Sequence, residues 1–415
     1  MVAEKIKIAV VGGGGRGVGM TTGVIQRIER FELVAYCEKH PVRRKYVHDS
    51  VKLPEHLIYE SFDEMLEKCS IDVVFVCVEP LSAAELCIQA LHAGKDVMTD
   101  VPLSYTLKDC WDMLVAVEET GKTFKMVEQM RFCRFIEDAS RMNREGEFGK
   151  IVFMEGQYIH DVVYNRSYWD TVNSGYCNPA QAEEFGNCVR SQRVCLHPLA
   201  YNPHEMSPLL KVANDRVATV SCMGTRMGSY SYPIDDVIDA EMAVMRTEND
   251  ILIRIINSFS VPYVNALSHW YNIVGSKASM ETSRATWDTG KIWEKPEISK
   301  QYDFSRLEGN LLSVPEQTEL SKTSAHGGLD YLPFINYIEH VDGTAPLDMD
   351  IYTACEATAP GIVAGISAAH QGLPFAVPDF RPNADRKLGD APKSYKAKSI
   401  YGDIHADSEY ESWKT

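Results

Sequence analysis

The chain reads as an α/β protein in which a doubly wound parallel sheet is followed by an α+β domain with a large, mostly antiparallel open sheet. Three observations predict this. A β-branched run, Ile6–Val11, empties into glycines at 12, 14 and 17. Strand-like and helix-like runs then alternate over the first 130 residues. Beyond residue 150, several strand-like runs follow one another with little helix between some of them, the pattern of a second layer built on its own sheet.

The glycines fall as G-x-G-x-x-G at Gly12, Gly14 and Gly17, with Gly15 and Arg16 inside the turn. Such a strand-to-helix turn lets backbone approach a pyrophosphate and aims a helix N-terminus at its charge. An acidic residue roughly twenty positions on is the second half of that signature. The next strand, FELVAYCE, supplies it as Glu38. A carboxylate there accepts ribose hydroxyls and repels a 2′-phosphate, which favours NAD, while Arg43 and Arg44 keep NADP open. Residues 71–80, 94–102 and 123–129 read as further strands, and 82–93 and 106–120 as helices. This is a Rossmann-type domain over residues 1–130. Its ligand should lie outside the carboxyl ends of the strands, so Glu79, Pro80, Asp100, Val101, Pro102 and Glu128 are expected at the nicotinamide end of the cleft.

The second domain is expected over 131–380, with strands at 150–161, 216–224, 240–248, 250–259 and 269–276. Segment 162–204, rich in Tyr, Trp, Asn and Cys, reads as a substrate-side lid, because long loops in compact proteins are more often functional than idle. Residues 277–325 read as another excursion, and 381–415 as a polar tail that embraces a neighbouring subunit.

At 415 residues, two domains with ample cores are expected. A net charge of −16 argues against nucleic-acid or anionic-membrane partners and for a small-molecule ligand. The 11 cysteines include no C-x-x-C pair, so neither a metal site nor a disulfide framework is indicated. A strand beginning within six residues of Met1, and no apolar stretch near the roughly 18 residues of a span, lead to the expectation of a cytoplasmic protein.

The glycine turn, Glu38, ALHAGKDVMTDVPLS at 90–104 and FGKIVFMEG at 148–156 resemble the Gfo/Idh/MocA oxidoreductases. The resemblance implies a Rossmann domain, an open sheet that forms a homo-oligomer interface, and an NAD-type cofactor. The family's usual Glu-Lys-Pro is here Asp100, Val101, Pro102, without the lysine, and its usual aspartate four residues before the second-domain histidine is also missing. One branch, glycoside hydrolase family 109, is similar at that Val-Pro. It is also similar at Glu128 with Arg134, at EGQYIHD (155–161), at Tyr201 and His204, at HGGLDY (326–331) and at VPDF (377–380). Asn202 and Pro203 replace Pro-Thr, Glu205 and Met206 replace Gly-Leu, and Gln129 replaces Asn.

Tyr and His side chains beside a dinucleotide suit proton removal from a secondary alcohol coupled to hydride transfer. The main expectation is oxidation of a sugar or glycoside hydroxyl, at C3 by resemblance, by an NAD-dependent dehydrogenase. The alternative is a redox-neutral glycosidase that oxidises, eliminates the aglycone, adds water and reduces again. A second alternative is a non-catalytic NAD or sugar sensor. Tyr201, as proton acceptor, and His204, sharing or orienting the proton, lie three apart and share one side of a helical turn. Glu128 either faces the cofactor or pairs with Arg134. Tyr158 and His160 share a strand face and, with His197 and His326, are the candidate substrate contacts. Arg193, Tyr164, Tyr168 and Trp169 are further lid candidates, the aromatics for stacking on sugar, aglycone or another subunit.

Overall fold

The computed structural model describes residues 4–191, 197–263, 268–294, 304–382, 397–399 and 402–404. Arg193 and most of the C-terminal tail lie outside the described residues.

The first domain runs β1 (Ile6–Val11), α1 (Gly15–Gly23), β2 (Phe31–Cys37), α2 (Pro41–Val51), β3 (Ile58–Tyr59), α3 (Phe62–Lys68), β4 (Val73–Val76), α4 (Pro80–His92), β5 (Asp96–Thr99), α5 (Leu107–Thr120) and β6 (Phe124–Met126). Its strands pair in parallel in the order β3-β2-β1-β4-β5-β6. Central β4, Val-Val-Phe-Val, is buried throughout, as expected of a parallel strand covered on both faces. Ser61 and Thr106 cap α3 and α5 with their side chains. The α1 helix starts at Gly14 with no such cap, so its first amides are left for an anion.

The second domain opens with α6 (Arg134–Arg144) and β7 (Ile151–Ile159), followed by β8 (Tyr168–Asp170), β9 (Gly175–Cys177), α7 (Pro179–Phe185) and β10 (Cys188–Arg190). Then come α8 (Pro203–Ala213), β11 (Val217–Gly224), β12 (Glu241–Thr247), β13 (Leu252–Ser258), β14 (His269–Gly275), β15 (Ala278–Glu281), β16 (Gly290–Glu294) and β17 (Phe304–Leu307). The fold closes with α9 (Glu319–Thr323), α10 (Leu332–Val341), α11 (Ile351–Ala369) and β18 (Phe375–Ala376). Among the described residues, nine of these strands lie in one sheet in the order β17-β16-β15-β14-β7-β13-β12-β11-β18. Only β7 and β13 pair in parallel among them. Helices α8 and α11 cover one face. The strict in–out alternation of β12 (Glu241 buried, Met242 exposed, Ala243 buried) marks the other face as open.

Three sequence expectations change. Segment 162–204 is no bare loop, since it folds into a small antiparallel sheet, β10-β8-β9; three-residue strands are too short to leave a periodic signal. Part of 277–325 continues the large sheet as β15 to β17. Within the tail, β19 (Ala397–Ser399) and β20 (Gly402–Ile404) extend the sheet from β18.

The two domains share a core. Helix α11 packs on α5 and β6 as well as on α8 and β11, and Met126 N–H donates to the Met349 carbonyl at 3.0 Å.

Candidate active site

The carboxyl ends of β1, β2, β4, β5 and β6 converge on one cleft. Gly12 adopts φ +110°, and a Cβ there would fall 2.1 Å from the Cys77 carbonyl oxygen. A Cβ on Gly17 would fall 2.1 Å from the Gly12 carbonyl oxygen. These two glycines therefore let β1, β4 and α1 close on one another, whereas at Gly15 a Cβ would meet nothing within 4 Å. Open space over uncapped helix amides is what a pyrophosphate needs. Glu38 Oε2 accepts from Gly13 N–H at 2.6 Å and Oε1 from His40 N–H at 2.8 Å, which fixes the carboxylate at the end of β2. Arg44 turns to the carbonyls of Glu38 and Lys39 and to Glu60. The residues present fit a dinucleotide.

Arg43 turns instead to the segment 168–176. Its Nε donates to Ser174 Oγ at 2.6 Å, and its guanidinium lies 4.1 Å from the centroid of Trp169. His40 Nε2 lies 2.9 Å from the Thr171 carbonyl oxygen. Tyr176 OH donates to Glu79 Oε1. The small sheet thus straps the cleft from the end of β2 to the end of β4.

Arg16 bridges the domains. It reaches Asp100 Oδ2 at 3.2 Å and Asp330 Oδ2 at 2.7 Å, and His326 Nδ1 lies 2.9 Å from Asp330 Oδ1. Burial alone would raise the Asp330 carboxyl, but the His326 bond and the Arg16 charge hold it well below the usual carboxylate range.

Beyond Asp100 the Val101–Pro102 peptide is cis, and the Val101 carbonyl accepts from Tyr201 OH at 3.1 Å. Tyr201 ends a 3₁₀ turn, Pro198–Tyr201, and His204 opens α8; their rings lie 5.4 Å apart. His204 Nδ1 sits 2.7 Å from Glu128 Oε2, and Glu128 Oε1 accepts from Met130 N–H at 2.6 Å. Glu128 is wholly buried. The approach of Nδ1 to Glu128 leaves Nε2 as the nitrogen available for proton transfer.

Around this pair stand Tyr158, whose ring meets His204 edge-on at 5.7 Å and lies 6.5 Å from Tyr201, and His326, 6.5 Å from His204. Tyr158 OH and His160 Nδ1 are 3.4 Å apart. Burial, followed by the Arg166 charge, lowers the His160 pKa and favours the neutral ring. The pocket combines a carboxylate-held imidazole, two phenols and a neutral histidine, which suits proton transfer to and from hydroxyl groups.

Of the sequence candidates, Tyr201, His204, Glu128, Tyr158, His160 and His326 come together. His197 does not. It lies 2.8 Å from Glu241 between the sheet and α11, so close that a Cβ on Gly365 would be 2.4 Å from its Nε2; it is a core histidine, not a substrate contact. The reading of Arg134 as partner of Glu128 does not hold, because Arg134 turns to the Glu308 carbonyl and Asp138. Arg16 and Asp100, expected at the cofactor, pair with each other. Trp169 faces Arg43, Tyr168 lies under Arg190 and Tyr164 stacks on Tyr232, so none of the three opens onto this pocket. Sequence reasoning missed His269 and Asp330. His269 begins a strand with no motif around it; Asp330 lies four residues after His326, a spacing that could have marked that pair, but its other partner, Arg16, is distant in the chain.

Residues 6–128 match the oxidoreductase family, NAD-binding Rossmann fold, known as Gfo/Idh/MocA. Residues 278–384 match the glycosyl hydrolase 109 C-terminal domain. A glycosyl hydrolase family 109 protein from Porphyromonas gingivalis is 24% identical, over 93% of this chain and 87% of that protein. An alpha-N-acetylgalactosaminidase from Bacteroides fragilis is 25% identical, over 92% of this chain and 93% of its own. Among solved structures, the WlbA dehydrogenase from Bordetella pertussis, in complex with NADH and UDP-GlcNAcA, aligns with a TM-score of 0.66 at 17% identity, over 91% of this chain and 99% of that one. Levoglucosan dehydrogenase, in complex with NADH and L-sorbose, aligns with a TM-score of 0.70 at 14% identity, over 91% of this chain and 100% of that one. The fold is that of these dehydrogenases.

Proposed function

We propose that this chain, a Gfo/Idh/MocA Rossmann domain followed by a glycosyl hydrolase 109 C-terminal domain, is an NAD-dependent, redox-neutral glycosidase acting on N-acetylated α-galactosides. One structural observation carries the redox-neutral reading. The strap from Trp169 to Tyr176 is tied to both sides of the cofactor cleft, through Arg43 and through Glu79. A net dehydrogenase must exchange its cofactor at every turnover, whereas a cycle that ends in re-reduction works with one retained cofactor. The 109-family relatives point the same way, so the simple dehydrogenase expected from the sequence becomes the lesser reading.

Glu38, Gly13 to Gly15 and the first amides of α1 would hold the dinucleotide, and the Glu38 carboxylate fixed at the end of β2 supports NAD over NADP. Bound there, the nicotinamide supplies reversible hydride acceptance. The chain's own residues handle protons. His204, oriented by Glu128, takes the proton of the sugar C3 hydroxyl at Nε2, with Tyr201 beside it. The resulting ketone acidifies the C2 proton, so the aglycone leaves by elimination and water adds in its place. Tyr158 with His160 provides a second hydroxyl–imidazole pair for that stage. His204 returns its proton as the hydroxyl is restored.

The open sheet face supports a homo-oligomer. Register places Met223, Met242, Val244, Leu252 and Phe153 on one side of four adjacent strands, all exposed, and contiguous apolar patches of this kind mark interaction sites. The function is tested by incubating the purified protein with an aryl N-acetyl-α-galactosaminide while following aglycone and nicotinamide absorbance together. Aglycone released without accumulating NADH is the expected result. NADH rising in step with a keto sugar restores the dehydrogenase.

A further inference from the structure

Beside His204 the pocket holds a further imidazole–carboxylate pair that the cycle above does not use. Glu205 follows His204 on α8, is completely buried, and its Oε1 lies 2.7 Å from His269 Nδ1. The sheet is shaped around it, since a Cβ on Gly156 of β7 would fall 2.9 Å from the Glu205 Cβ. A buried carboxylate costs several kcal/mol unless it is held by partners, and an ordinary core position would not carry one.

His269 connects this pair to the pocket. It stands opposite Tyr158 in the β14–β7 register, and the two rings stack, with centroids 4.1 Å apart and planes 26° apart. Its centroid is 5.7 Å from that of His204. Burial, then the neighbouring His204, lowers the His269 pKa well below its ordinary value, and burial, then Glu128, raises that of Glu205 well above. Both shifts favour the neutral forms of the two groups, and the 2.7 Å contact makes the pair a strut behind the phenol.

We propose that His269, fixed by Glu205, is a positioning residue for the reaction, its imidazole setting the angle at which the Tyr158 phenol faces His204 and Tyr201. The inference rests on the reading of this pocket as the reaction centre and adds a residue to it. Its test compares His269→Ala, His269→Asn and His269→Phe in the full chain with retained cofactor. Asn keeps a donor to Glu205 but no ring; Phe keeps the ring but not the bond. With the aryl N-acetyl-α-galactosaminide as probe, Ala and Asn should lower kcat at least tenfold with KM within twofold and cofactor content unchanged. Phe should recover at least threefold over Ala. If Ala does not fold, Asn carries the same expectation. Wild-type kcat in Ala or Asn, or a loss confined to KM, overturns the proposal.

A second readout needs no turnover. In protein labelled at tyrosine, the Tyr158 NMR line, identified by its loss in Tyr158→Phe, should shift in His269→Ala and His269→Asn as the ring current of the stacked imidazole disappears. A line that stays in place overturns the proposal. Wild-type protein inactive on glycosides defeats only the functional reading, and the tyrosine line then decides this one.

Discussion

Glu128 and His204 lie 76 positions apart in the chain, one at the end of a parallel strand and the other at the start of a helix in the second domain, yet their side chains meet at 2.7 Å. The carboxylate orients the ring and stabilises the imidazolium that forms when the ring takes a proton. Glu128→Gln keeps the size and removes the charge. We expect it to lower kcat at least tenfold, about 1.4 kcal/mol of barrier, with KM and cofactor content unchanged, as steady-state kinetics on the same aryl glycoside will show. Spacing made Tyr201 with His204, and Tyr158 with His160, legible from sequence, because a helical turn and a strand each put fixed intervals on one side. The partner of His204 was not legible, because the contact crosses the domain junction. His197 was misread for a related reason. Only the structure shows that Gly361 and Gly365 on α11 open the room that His197, Leu199 and Asn202 fill, while Tyr201 of the same segment stays in the pocket.

Among the elements, the strap is the one on which the proposed retention of the cofactor rests. Its hold on the cleft is a handful of side-chain contacts, each worth roughly 0.5–1.5 kcal/mol. Tyr176→Phe removes the bond to Glu79 while leaving the ring against Trp169, whose centroid is 5.0 Å away. Release of bound NAD should then quicken by roughly two- to tenfold, which displacement by an excess of a fluorescent NAD analogue will measure; an unchanged release rate would show that the strap does not gate the cofactor. The Rossmann elements were readable from sequence because long apolar runs alternate with amphipathic helices, and their observed bounds fall within a few residues of those runs. The strap reads only as a lid, since strands of three residues have no period to detect and their order is set by pairing with one another. The same limit hid β15 to β17 inside the expected excursion.

Over the whole molecule, the domain junction is knit by a buried charge network. Arg131 Nε donates to Asp348 Oδ1 at 2.9 Å, Lys211 lies 3.5 Å from Asp348 Oδ2, and Lys125 Nζ donates to Asn336 Oδ1 at 2.8 Å and to the Asp348 carbonyl. Burial works to raise the Asp348 carboxyl, but Arg131 and Lys211 prevail and hold it at about 2. Its pKa in the folded state is thus below the unfolded value near 4. The stability it contributes, about 2 kcal/mol, is present above pH ~4 and is lost as pH falls toward 2. Asp348→Asn should unfold earlier than the wild type in urea at pH 7, and the gap should narrow on acidification through that window; a gap that does not depend on pH would place the contribution in packing instead. The two-domain plan and the open sheet were visible in the order of strand and helix signals. The assembly of one pocket from both domains was not, because Tyr201 on Val101, His204 on Glu128 and Asp330 on Arg16 are all contacts between distant parts of the chain.

Cleavage of the proposed substrate through a ketone removes and replaces the neighbouring proton, and solvent records that step. Hydrolysis of an aryl N-acetyl-α-galactosaminide in D₂O, stopped at low conversion and read by mass and NMR of the released sugar, should show one deuterium bound to carbon, at C2. A sugar released with its C2 proton intact would rule out the ketone route and point to direct displacement at the anomeric carbon.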